Sequence, residues 1–187
     1  MGTLLNRRRY MGKVNSILPS GYTQLEELSV TSGNKYVNTG FVGARDGIYR
    51  FVTSVKYYSD SYSNRQLCAA NESQPWWGCD RGKFKYSDTT RNPIPAQNTV
   101  VETNTWYDVD ATMKVDAASG LFLLFTLNKP NSGLNPLNAY QCQMAFKICD
   151  IYDNGTLVRH LIPCRNPNNV EGMYDTVEGQ FHALTSY

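Results

Sequence analysis

A chain of 187 residues with 41% hydrophobic and 18% charged side chains carries enough apolar material for one packed core, which excludes a disordered polypeptide. The net charge is only +2, and the longest apolar run, GLFLLFTL at 120–127, falls far short of the ~20 residues a membrane helix needs. We therefore expect neither a membrane nor nucleic acid as partner.

The charge is unevenly spread. Four of the basic side chains (Arg7, Arg8, Arg9 and Lys13) and none of the acidic ones precede residue 14, so a basic arm at 1–17 leads into a nearly neutral body. The arm lacks the apolar stretch of an export signal, and its planar guanidinium groups suit carboxylates on another protein, with contact to nucleic acid or a frayed, solvated end as the competing readings of the charge. From 18 onward the chain reads as one all-β domain, 18–187. A Pro/Gly turn enters a first strand at about 24–30, and GNKYVNTGF follows as a second at 33–41. In DGIYRFVTSVKYY (46–58), Tyr49, Phe51, Val55 and Tyr57 share one face, as a half-buried strand requires. RQLCAA and GKFKYS read as strands around a loop, NESQPWWGCDR. TWYDVDATMKVD sets Tyr107, Val109, Ala111, Met113 and Val115 opposite Asp108, Asp110 and Lys114. GLFLLFTL is apolar on both faces and suits a central strand. MAFKICDIY places Met144, Phe146 and Ile148 on one face; after it Asp153-Asn154-Gly155 supplies a tight hairpin turn into TLVRHLIP. EGMYDTVEGQFHAL closes the chain. With no sustained period of 3.6, these short strands predict an antiparallel β-sandwich.

Four segments, LPSGYTQLEEL, SGNKYVNTGF, FKICDIYDNGTLVRHLIPCRN and VEGMYDTVEGQF, follow one another in order across about 18–187. In wording and spacing this chain resembles the concanavalin A-like lectin/glucanase (laminin-G-like jelly-roll) modules of virion proteins from bacteriophages of gut bacteria. Val30-Thr31 and Cys149-Asp150 depart from that family's usual wording. The resemblance implies a jelly-roll domain in a fibre, decoration or receptor-binding protein, made in the bacterial cytoplasm and built into the virion as a homo-oligomer. The arm at Arg7–Arg9 would dock on other virion proteins, and host surface glycans are the candidate ligands.

Catalytic chemistry finds little footing. Asp108 and Asp110 have the i, i+2 spacing by which a strand could present a glycosidase pair, yet they fit a solvated strand face equally well. His160 and His182 neighbour no nucleophile in a recognised turn, and His160 reads as a structural histidine. The five cysteines form no CxxC pair, and Asp150 and Asp153 gather too few oxygens for calcium, so no metal or cofactor is expected. The cysteines read as small, mostly buried thiols. Aromatic side chains are the better candidates for ligand contact. Trp76 and Trp77 follow a proline, and Tyr57, Tyr58 and Tyr62 add rings on whose faces sugar C–H groups could stack. Adjacent Trp76 and Trp77 on a strand would bury one ring and expose the other. Core packing or subunit contact is the competing explanation for these rings. A virion subunit without ligand and a carbohydrate hydrolase remain the alternatives to a glycan-binding one.

Overall fold

The computed structural model describes residues 17–31, 35–44, 46–58, 65–69, 76–86, 89–114, 120–125 and 143–186; for 65–69, 76 and 120 it describes the backbone alone. The arm with Arg7, Arg8 and Arg9, and also Tyr62, thus lie outside the described residues. Within them there is no helix. Thirteen strands occur: β1 (Thr23–Gln24), β2 (Leu28–Val30), β3 (Lys35–Gly43), β4 (Ile48–Tyr57), β5 (Arg65–Ala69), β6 (Trp76–Asp80) and β7 (Lys83–Tyr86) come first. β8 (Trp106–Lys114), β9 (Gly120–Leu124), β10 (Met144–Asp153), β11 (Thr156–Arg165), β12 (Glu171–Asp175) and β13 (Gln180–Ser186) follow. They form one curled antiparallel sheet in the order β7-β6-β5-β9-β3-β13-β12-β11-β10-β4-β8, with β1 against β11 and β2 against β10.

Period-two alternation explains how the sheet makes a core. Tyr49, Phe51, Val55 and Tyr57 of β4 and Val109, Ala111 and Met113 of β8 all point inward and are buried. They meet rings from the opposite stretch of the curl. Phe122 of β9 lies 5.4 Å, centroid to centroid, from both Tyr49 and Phe51, and Phe84 of β7 lies 5.8 Å from Tyr57 and 5.1 Å from Tyr107. The apolar β9 sits between β3 and β5, as a strand buried on both faces should.

One segment ties the two ends of the sheet. Ile94 and Asp110 exchange backbone hydrogen bonds of 3.0 and 2.8 Å on the free edge of β8. A few residues later Phe84 N donates to Thr99 O, and Asn98 N donates to Phe84 O, both at 2.8 Å, on the free edge of β7. Residues 89–101 therefore cover both terminal strands, which removes the open ladder that would otherwise invite pairing with another chain.

Three sequence expectations change. The expected first strand at 24–30 is broken into β1 and β2, which pair with different neighbours. NESQPWWGCDR is not wholly a loop, because Trp76–Asp80 is a strand held between β5 and β7. Ile148 does not share a face with Met144 and Phe146: the β10–β4 register shifts between Phe146 and Cys149, leaving Ile148 40% exposed and burying Cys149 and Ile151 instead. The β10–β11 hairpin forms as the turn residues require. Asp153 pairs with Thr156, and Asn154 and Gly155 take φ of 46° and 86°, the paired positive values of a two-residue turn.

Candidate functional site

Since the inward positions of β8, β4 and β10 are spent on the core, their alternate positions line the outer face. They enclose a groove of about 580 Å³, a size suited to a small ligand. Its apolar floor includes Val52, with Ile94 and Ile148 (60% and 40% exposed) beside it. Charged groups are held around that floor. Arg50 grips Asp110 through two bonds, Nε to Oδ1 at 2.8 Å and Nη2 to Oδ2 at 2.6 Å, while Arg91 Nη2 reaches the same carboxylate at 3.0 Å. The Arg50 bonds hold the Asp110 carboxyl below the ordinary carboxylate range. Ser54 Oγ donates to Asp108 Oδ1 at 2.5 Å. His160 Nδ1 meets Asp150 Oδ1, also at 2.5 Å.

Aromatic rings border the same face. Lys147 Nζ lies 4.4 Å and Lys56 Nζ 4.7 Å from the ring centroid of Trp106, and the Arg50 guanidinium lies 5.4 Å from that of Tyr152. Beyond Trp106, Tyr58 Oη donates to Glu27 Oε1 at 2.8 Å, and Lys56 Nζ lies 2.9 Å from Oε2. Burial pushes the Glu27 carboxyl up, but hydrogen bonds from Lys56, Ser29 and Tyr58 outweigh it and leave it below its ordinary value.

Of the predicted ring residues whose side chains are described, Tyr58 belongs to this face. Trp77 and Tyr57 are corrections: both are fully buried, with Trp77 edge-on to Phe146 and Tyr57 edge-on to Phe84. A ring with no exposed face cannot stack on a sugar. The side chains of Trp76 and Tyr62 lie outside the described residues. Trp106, Arg50, Lys147 and Tyr152 were missed, although Trp106 stands at i, i−2 from Asp108 on a strand whose alternation was plain. That spacing was the available signal.

A second polar cluster lies inside the fold. Asp175, Glu178 and His182 bring one ligand atom each within 4.8 Å of one another, the spacing of a metal site. The cluster already has its cation. Arg159, with 8% of its side chain exposed, places Nη1 2.7 Å from Glu178 Oε1 and Nε 3.4 Å from Asp175 Oδ2. Its Nε also donates to the Thr39 carbonyl at 3.0 Å, linking β11 to β3. A metal ion would have to displace a buried guanidinium, so the cluster reads as structural. Cys79, Cys149 and Cys164 are buried, and burial pushes the Cys164 thiol up to about 11, so it is no activated nucleophile.

The His160–Asp150 pair makes stability depend on pH. Donating its Nδ1–H to the Asp150 carboxylate raises the His160 pKa above its ordinary value despite partial burial. A raised histidine pKa contributes stability in full below the unfolded value of ~6.5, and that contribution disappears as pH climbs through the folded value. His182 is shifted the opposite way by burial, so the wild-type profile alone mixes two signs. Urea midpoints of wild type and His160→Gln should therefore differ most below pH ~6.5 and draw together as the pH rises above it. A gap that widens with rising pH would contradict the pairing.

Compared with protein-family models, curated proteins and solved structures, this chain matches none.

Proposed function

We propose that this chain is a structural protein of a bacteriophage virion, a fibre or capsid decoration, whose domain binds host surface glycans in the groove across β8, β4 and β10. The phage assignment is supported by the ordered motifs of the sequence, and with it a concanavalin A-like jelly-roll arrangement of the curled sheet. The glycan assignment is carried by the groove: an apolar floor fringed by fixed polar groups, two of which, Lys147 and Arg50, rest against the rings of Trp106 and Tyr152. Sugars pair such surfaces well, because their C–H faces leave water cheaply while their hydroxyls need fixed partners. Single contacts of this kind are weak. Many copies on one particle would raise avidity by roughly 10²–10⁴, which suits a homo-oligomer docked to the virion through the 1–17 arm.

Binding fits this groove better than hydrolysis. A glycosidase needs one carboxyl kept protonated by a raised pKa, and Asp110 is pushed the other way by Arg50. The exposed Ile94 and Ile148 favour a second reading, in which the same face is a contact between virion subunits and takes no ligand.

The full-length protein, displayed in many copies on beads, should be retained on some members of an array of bacterial surface polysaccharides. Trp106→Ala and Asp108→Asn should each lower that retention by about tenfold or more, the loss of ~1.4 kcal/mol in contacts. Circular dichroism melts should show both variants folded. A blank array for wild type, or retention unaltered in both variants, would favour the subunit-contact reading.

A further inference from the structure

We infer that the groove selects saccharides bearing a carboxylate, and that Lys147 is the residue that recognises the negative charge. This inference rests on the glycan-binding reading above and narrows it. It starts from how charges are matched on the outer face. Glu27 is paired with Lys56, Asp110 with Arg50 and Arg91, and Asp150 with His160, while Asp108 is held by the Ser54 hydroxyl and not by a cation. Among the described residues that line the groove, Lys147 is a cation with no carboxylate partner. It is exposed, and its ammonium rests 4.4 Å from the centroid of the Trp106 ring.

That contact matters for recognition. A free lysine loses much side-chain entropy when a ligand fixes it, whereas an ammonium already held at an indole loses less. Lys147 is thus a positioned charge beside an aromatic surface, on the bulged stretch of β10 where the register shift turns Lys147 and Ile148 both toward solvent. A pyranose ring lying along Trp106 and Ile148 could place its carboxylate on Lys147. Asp108 accepts Ser54 through Oδ1, leaving Oδ2 to accept the ligand's hydroxyls. A neutral sugar in the same position would offer the Lys147 ammonium hydroxyl acceptors but no counter-charge, a weaker return for the water displaced.

The experiment uses the full chain, displayed in many copies, with two ligands of the same backbone. One is an oligogalacturonate with free carboxylates; the other is the same oligomer with every carboxyl methyl-esterified. A sugar phosphate of matched length provides a third arm, separating carboxylate recognition from attraction to any anion. Wild type should prefer the acid over the ester by about tenfold at low salt, with the preference shrinking as ionic strength rises. Lys147→Gln should bring that ratio close to one, chiefly by weakening retention of the acid, and Lys147→Arg should restore most of it. Because the basic arm is present in every variant, attraction of polyanions to Arg7–Arg9 cannot imitate the change. Equal binding of acid and ester by wild type, or a preference that survives Lys147→Gln, would overturn the inference while leaving the glycan reading in place. A phosphate arm as strong as the carboxylate arm would overturn the carboxylate preference. If no glycan is retained in any arm and the polysaccharide array is blank, the glycan reading itself fails.

Discussion

Replacing Trp77 by alanine should cost about 3–5 kcal/mol of stability, the usual range for emptying a buried aromatic site. In a domain of this size that corresponds to a melting temperature lower by about 6–20 °C. Trp77 is fully buried on β6, packs at 6.5 Å against Phe146 of β10, and so joins opposite stretches of the curled sheet. Its Nε1 has no hydrogen-bond partner among the described residues. Trp77→Phe removes that buried donor along with part of the volume, and should therefore cost much less than the alanine variant. Val42→Ala, on an exposed position of β3, is the control and should shift stability by no more than ~0.5 kcal/mol. Thermal melts of the three variants decide the matter. Were Trp77→Ala to melt like wild type but lose glycan retention, the ring would be a ligand platform after all.

Asp175→Ala should be comparably severe, at about 3–5 kcal/mol, because it leaves the buried Arg159 guanidinium short of its inner partner. The carboxylate has a second duty: Oδ1 accepts from His160 N at 3.0 Å and Val177 N at 2.9 Å. Alanine orphans both donors, one on β11 and one in the turn between β12 and β13. Glu178 retains its contact with Arg159 Nη1, yet that carboxylate is 37% exposed and is a weaker counter-charge. Arg159→Met alone should also destabilise, by stranding Asp175 without its cation. The double variant Arg159→Met/Asp175→Asn removes both charges and keeps an acceptor near the two N–H groups. It should lose less than the summed losses of Arg159→Met and Asp175→Asn, each measured singly, by at least ~1 kcal/mol in urea titrations. Strict additivity would show that the two side chains do not act as a pair.

What the sequence determined by itself was local. Alternation in 46–58 and 106–114 identified which side chains point inward, because a strand has a period of two whatever it packs against. Asn154-Gly155 specified the hairpin turn, because few residues other than glycine and asparagine take positive φ readily. Period-two alternation and frequent turn residues, with no 3.6 period, sufficed for the all-β class that the described residues show. Only the tertiary structure decided matters that depend on which strands meet. Ile148 looked inward by alternation, and a register shift, set by how β10 pairs with β2, β4 and β11, turned it out. Trp77 and Tyr57 looked like ligand residues because aromatic rings serve cores and binding faces alike, and burial alone separates the two uses. The groove joins Arg50, Asp108 and Lys147 from three strands far apart in the chain, and the partnership of Arg159 with Asp175 and Glu178 is equally non-local. No pattern along the chain encodes such meetings, since the free energy that holds them comes from sheet pairing between distant segments.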